Sequence, residues 1–99
     1  MLAYYLNERK LNVDETGRPQ IPIPPTPVGE FTEIELVIEN TLEYPMELKS
    51  YTNDKDLEIT TYPKYLIPQE RGKVILTFKP AVERVKPLDT NWGFEITIG

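Results

Sequence analysis

The stretch Phe31-Thr-Glu-Ile-Glu-Leu-Val-Ile-Glu39 alternates apolar and mostly acidic residues with a period of two. Ile34, Leu36 and Ile38 occupy one set of alternate positions, and carboxylates occupy most of the other set. Successive side chains of a β-strand point to opposite faces of the sheet, so this pattern is typical of a strand with one buried face and one solvated face. The stretch therefore predicts a β-strand.

Four later segments repeat this alternation, at residues 46–51, 57–60, 73–79 and 92–98. The polar tip at residues 52–56 predicts either a hairpin or a crossing between two sheets. Residues 69–72 predict a turn, and residues 80–89 are interpreted as a loop. Several short strands at spacings of about 8 to 14 residues favour a β-sandwich over an α/β fold.

Ten prolines divide the chain, and five of them lie within residues 19–27. Proline removes a backbone donor and clashes inside a helix, so long helices have no place to form. We expect two regions: an extended N-terminal arm with a proline-rich strap over residues 1–27, and the sandwich over residues 28–99. Residues 4–13 have the composition to add one or two short strands.

Length and composition limit the function classes. The 99 residues suit one domain, and the absence of Cys and His removes thiol nucleophiles, imidazole bases and the usual zinc sites. A net charge of −5 without a basic block argues against nucleic-acid binding. The sequence has no classical signal peptide and no membrane-spanning run. We expect a soluble protein in the cytoplasm or in a virion.

No catalytic, cofactor-binding or metal-binding residue is predicted. Ser50 is the single serine and lacks a partner base. The glutamates of the first strand predict a solvated acidic face, partly balanced by lysines of other strands, namely Lys49, Lys73 and Lys79. The cluster at residues 53–58 lacks the glycine and the glutamate that a calcium loop of the EF-hand type requires, and is interpreted as a polar tip.

Residues 28–98 carry a resemblance in their strand spacings. A strand ends at Asn40, a proline-marked loop reaches Pro68, and a later strand ends at Pro80 before the closing strand at residues 94–98. This pattern resembles the immunoglobulin-like modules of the major sperm protein and Hydin-type group, although Gln69 stands where that group has a glycine. The resemblance implies an immunoglobulin-like sandwich of about seven antiparallel strands. Similar modules occur in small viral decorating proteins.

Tyrosines and the proline-rich strap are the candidate contact elements. Tyrosine provides a large contact area with few rotatable bonds, which suits interfaces. The strap also satisfies the bare P-x-x-P spacing, although its flanking residues do not fit an SH3-type ligand. The predicted partner-binding residues are Tyr4, Tyr5, Ile21, Ile23, Tyr44, Tyr51, Tyr62 and Tyr65.

These observations predict a non-enzymatic structural or interaction protein that binds protein partners in a larger assembly or a homo-oligomer. A viral particle component, such as a capsid decoration, tail or assembly protein, is the first hypothesis. Two alternatives stay open, namely a cellular module that binds proteins or peptides and an accessory module that binds glycans or Ca²⁺.

Overall fold

Two antiparallel β-sheets form the protein in the computed structural model, which describes residues 2–15, 18–19, 21, 24–83 and 92–98. None of these described residues is helical. The prediction of an all-β fold is therefore confirmed, and the two sheets enclose one apolar core. From residue 84 onward, the predicted loop over residues 80–89 lies outside the described residues.

The described part of the chain contains eight strands. In chain order they are β1 (Leu2–Leu6), β2 (Arg9–Lys10), β3 (Thr32–Asn40), β4 (Met46–Thr52), β5 (Leu57–Thr61), β6 (Tyr65–Leu66), β7 (Arg71–Phe78) and β8 (Trp92–Ile98). The larger sheet has the order β2-β1-β3-β7-β5, and the smaller sheet has the order β6-β4-β8. Because β4 and β5 lie in different sheets, the polar tip between them is a crossing between sheets.

Alternate residues of β3 and β7 form one wall of the core, as the period of two predicts. The two strands pair in regular antiparallel register, with Leu36 opposite Val74 and Ile34 opposite Leu76. All four side chains are buried. Residues that face each other across an antiparallel pair lie on the same side of the sheet, so these side chains make one continuous apolar layer.

The smaller sheet supplies the opposite wall. Met46 and Leu48 of β4 are buried, and so is Trp92 at the start of β8. The Trp92 ring meets the ring of Tyr4 on β1 edge-on, with centroids 6.4 Å apart. This aromatic contact joins β8 of one sheet to β1 of the other and gives the two sheets a fixed relative position.

The first strands come from the segment predicted as an extended arm. β1 pairs with β3, and β2 pairs with β1, so residues 2–10 are part of the larger sheet. Asn7 and Glu8 connect these two strands, and both have positive φ. That backbone is typical of a two-residue type I′ hairpin. Residues 2–10 fold with the sandwich because Tyr4 is buried in its core and Leu2 and Leu6 pack against that core.

The turn predicted at residues 69–72 lies two residues earlier, at residues 67–70. Its closing hydrogen bond runs over 3.1 Å from the N–H of Glu70 to the carbonyl of Ile67. Gln69 follows a proline and has a φ of 67°, as the third residue of a type II turn requires. The last two residues of the predicted turn therefore belong to β7 instead.

We expect Gln69→Gly to raise the free energy of unfolding by about 1 kcal/mol, because a side chain is disfavoured at this positive φ and glycine is not. Gln69→Ala keeps the Cβ atom and is the matched control, with little expected change. Urea unfolding of the three proteins measures the difference. Equal midpoints for the glycine and alanine variants would contradict this account of the turn.

The buried Tyr4 hydroxyl makes stability depend on alkaline pH. Burial, with a smaller contribution from Tyr51, raises the pKa of Tyr4 from 10.0 to about 12. Unfolded Tyr4 therefore loses its proton before folded Tyr4 does as the pH rises. The contribution of the protonated Tyr4 hydroxyl to the free energy of unfolding is intact below pH 10. About 2 kcal/mol of this contribution is lost by pH 12.

Tyr4→Phe keeps the ring and removes the ionisable group, so this variant should lose less stability than the wild type between pH 10 and pH 12. Urea unfolding at several pH values in this range measures both losses. Ionisable groups that do not interact with Tyr4 affect the two proteins equally, so the difference reports Tyr4 together with its interaction with Tyr51. Identical losses would show that Tyr4 has the same pKa in both states.

Candidate functional site

A fully buried asparagine organises one end of the sandwich. The Nδ2 atom of Asn40, the last residue of β3, donates to the carbonyls of Tyr44 at 2.8 Å and Leu66 at 3.1 Å. Its Oδ1 atom accepts the N–H of Leu42 at 2.9 Å. The backbone N–H and C=O of Asn40 both bond to the turn at residues 67–70. One side chain thus holds the β3–β4 connection against β6.

Three large apolar side chains stand exposed beside this network. Tyr44, Tyr65 and Ile67 are each more than half exposed. Tyr44 is itself a partner of Asn40, and the other two flank its second partner, Leu66. Single exposed apolar residues are ordinary, whereas several at one place mark a contact surface. We name Tyr44, Tyr65 and Ile67 the end surface.

Charged residues border the end surface. Glu43 precedes Tyr44, Lys64 precedes Tyr65, and Glu47 stands opposite Tyr65 in the β4–β6 pair. All three charged side chains are exposed. An apolar centre with a polar rim is the usual composition of a protein contact surface.

The outer face of the larger sheet carries ion pairs rather than a free acidic patch. Lys73 Nζ lies 3.2 Å from Glu35, and Arg71 Nε lies 2.7 Å from Glu39. Both cations come from β7, the strand next to the acidic β3. The prediction that Lys49 helps to balance this face is wrong, because Lys49 belongs to β4 in the other sheet.

Arg71 also covers one of the predicted contact residues. Its guanidinium carbon lies 4.6 Å from the centre of the Tyr5 ring, which is the geometry of a cation–π contact. The hydrogen bond to Glu39 is the main reason that the pKa of Arg71 is raised. Tyr5 therefore has its ring engaged within the chain, and Tyr4 lies in the core.

The other predicted contact tyrosines, Tyr51 and Tyr62, also have partners in the chain. The Tyr51 side chain lies against Gly93. A Cβ atom added to Gly93 would stand 3.0 Å from the hydroxyl oxygen of Tyr51. The Tyr62 ring lies 5.6 Å from that of Phe94. A hydrogen bond with Ser50 is the main reason that the pKa of Tyr62 is lowered.

The structure therefore brings together two of the predicted contact residues, Tyr44 and Tyr65, at the end surface. Ile21 packs against the core and is partly buried. Ile23 lies outside the described residues. The third member of the end surface, Ile67, was not predicted from the sequence. Its signal is the pair Leu66-Ile67, because adjacent strand residues point to opposite faces and only one of the two points to the core.

The polar tip between β4 and β5 uses two of its carboxylates as acceptors of backbone hydrogen bonds. Asp54 Oδ1 accepts the N–H of Asp56 at 2.9 Å, and Asp56 Oδ1 accepts the N–H of Ala81 at 3.3 Å. Within the described residues, no group of three or more acidic side chains is arranged to hold a metal ion.

The described residues include no helix with the length and apolar character needed to cross a membrane. Comparisons of the chain with protein-family models, with curated proteins and with solved structures found no match.

We expect Asn40→Ala to lower the free energy of unfolding by about 2 to 4 kcal/mol, because two carbonyls and one N–H lose their buried partner. Glu43→Ala, an exposed change in the same connection, is the control and should change stability by less than about 0.5 kcal/mol. Chemical unfolding measures both effects. A loss for Asn40→Ala no greater than that of the control would mean that water replaces the amide.

Proposed function

We propose that the protein works by contact with another protein, as a non-enzymatic structural component of a larger assembly. The end surface is the observation that carries this proposal. Tyr44 and Tyr65 offer two rings that are more than half exposed, and Ile67 adds an apolar side chain beside them. Aromatic residues of this kind provide most of the binding free energy in many protein interfaces.

The backbone beneath the end surface favours binding because Asn40 restrains it before a partner arrives. Its amide bonds the carbonyls on either side of the surface, those of Tyr44 and Leu66. Binding a partner then requires less ordering of loops, which is one of the main costs of association. The exposed rings lose little rotamer entropy because tyrosine has only two side-chain torsions.

The sandwich itself is proposed to be of the immunoglobulin type. In constant-type domains, strands A, B, E and D form one sheet, and strands C, F and G form the other. Assigning β1, β3, β4, β5, β7 and β8 to strands A to F gives the orders A-B-E-D and C-F, with β2 added beside A and β6 beside C. None of the described strands takes the place of strand G. This agreement in strand order supports the resemblance to the major sperm protein and Hydin-type group.

A viral particle is the assembly that we propose, as a capsid decoration or a tail component. The proposal rests on the resemblance to small decorating proteins and on the end surface, whose exposed apolar side chains have a charged border. In this arrangement the end surface meets the particle, and the charged outer face of the larger sheet remains toward solvent.

The experiment asks whether the chain is a component of purified particles and whether the end surface attaches it. Gradient-purified particles from a culture that encodes the chain are analysed by mass spectrometry and immunoblotting. Stripped particles are then incubated with the wild-type protein or with the double variant Tyr65→Ser, Ile67→Ser. We expect the wild type to bind and the double variant to bind at least tenfold more weakly.

Phe31→Ser is the matched control, because Phe31 is 62% exposed and lies just before β3, at the far end of that strand from Asn40. This variant should bind particles as well as the wild type does. Absence of the chain from purified particles would reject the viral proposal. Tight capture of one cellular protein through the same end surface would favour the cellular module instead.

A further inference from the structure

Four of the strands in the described residues lie at sheet edges, and three of these four carry features that prevent another strand from pairing. β2 has two residues, and both are basic. β6 also has two residues and lies between Pro63 and Pro68. β5 has an irregular register between Ile59 and Thr61. Short length, charge, flanking prolines and bulges are the usual ways in which proteins protect sheet edges.

The fourth edge strand, β8, has none of these features. It has seven residues, one charged residue and no proline, and its register with β4 is regular from Trp92 to Ile98. In an antiparallel pair, the N–H and C=O groups of every second residue point away from the partner strand. Among the described residues, no strand pairs with this far edge of β8. The edge is therefore a template for strand addition.

The core-facing side chains of β8 become more exposed toward its C-terminal end. Trp92 is buried, Phe94 and Ile96 are partly buried, and Ile98 is 53% exposed. These four residues alternate along the strand and so lie on one face. An added strand with apolar residues at alternate positions would cover the exposed part of this row.

We infer that this edge binds β8 of a second copy of the chain, in antiparallel register about a two-fold axis at Ile96. The two smaller sheets then become one six-stranded sheet. In this register, Phe94 of each copy faces Ile98 of the other, and the two Ile96 side chains face each other. The three apolar pairs lie on the core side and extend the cores of the two copies toward each other.

The charge pattern of β8 supports a second copy as the occupant. With the axis at Ile96, Glu95 of one copy faces Thr97 of the other, and no carboxylate faces a carboxylate. Moving the axis to Glu95 would place the two Glu95 side chains opposite each other, which is unfavourable. Lys49 stands opposite Glu95 within the same sheet and provides a compensating charge on the side away from the axis.

The proposed contact is small, because it joins only the exposed half of one strand from each copy. Interfaces below about 1,200 Å² are generally weak or transient. Each copy also carries a charge of −5, and this opposes association at low salt. We expect a reversible dimer with a dissociation constant on the order of tens to hundreds of micromolar.

Sedimentation equilibrium over a range of protein concentrations tests the inference. Thr97 is exposed on the outer face of the smaller sheet, where it stands opposite Glu47 of β4, so substitutions there change no core contact. The thermal unfolding of each variant measures the effect of the new neighbour of Glu47 on the monomer. Thr97→Glu places a carboxylate against Glu95 at two symmetric positions and should raise the dissociation constant roughly tenfold. Thr97→Lys places an opposite charge at the same positions and should lower it by a similar factor.

The double variant Glu95→Lys, Thr97→Glu restores opposite charges across the axis, so it should dimerise at least as well as the wild type. Thermal unfolding of each variant confirms that the monomer is folded. A wild type that stays monomeric at millimolar concentration would overturn the inference. So would a dimer with the same dissociation constant in all of these variants.

The two proposals fail separately. The double variant Tyr65→Ser, Ile67→Ser should still dimerise, because β4 separates these residues from β8. Loss of dimerisation in the end-surface variant would overturn the β8 interface, whereas loss of particle binding in that variant alone is the result expected from the proposed function.

Discussion

The buried amide of Asn40 is the interaction on which the end of the sandwich depends. A polar side chain without exposure is costly unless its hydrogen bonds are made, and Asn40 makes three of them. Because β3 belongs to the larger sheet and Leu66 to the smaller one, the amide is also a polar link between sheets. Apolar packing has no directional preference, whereas this group fits only one arrangement of the surrounding segments.

The segment that follows β5, residues 62–70, contacts Asn40 at Leu66, Gln69 and Glu70. It passes from Tyr62 in one layer to β6 in the other, turns at residues 67–70 and enters β7. Gly72 permits the return, because a Cβ atom there would overlap the ring of Pro63. The exposed Ile67 and the positive φ of Gln69 both result from this path. The exposed apolar surface and the strained turn residue therefore have a common origin.

Periodicity predicted the strands well because it reports which side chains are buried. The segments at residues 31–39, 46–51 and 92–98 match β3, β4 and β8 closely. Periodicity does not report which strands are neighbours. Lys49 was therefore paired with the wrong sheet. The sequence of β1, Leu-Ala-Tyr-Tyr-Leu, does not alternate apolar and polar residues, so only its composition indicated a short strand within the predicted arm.

The candidate site was less accessible to sequence reasoning than the fold. Tyrosine content alone indicated contact residues, but it did not separate exposed rings from those that are engaged within the chain. Tyr44 and Tyr65 lie at the end surface, while Tyr4 is in the core and Arg71 lies over Tyr5. That separation depends on contacts between distant segments, and no local pattern of residues encodes it.

The pairing of strands also has a kinetic consequence. Apart from the β1–β2 hairpin, the longer ladders join distant parts of the chain, and Met46 pairs with Ile98 across half of its length. Closing such loops costs entropy before the contacts form, so folds of this kind reach the native state slowly. During synthesis on a ribosome, β4 cannot pair with β8 until almost the whole described chain has emerged. The apolar face of β4 is accessible to chaperones during that time.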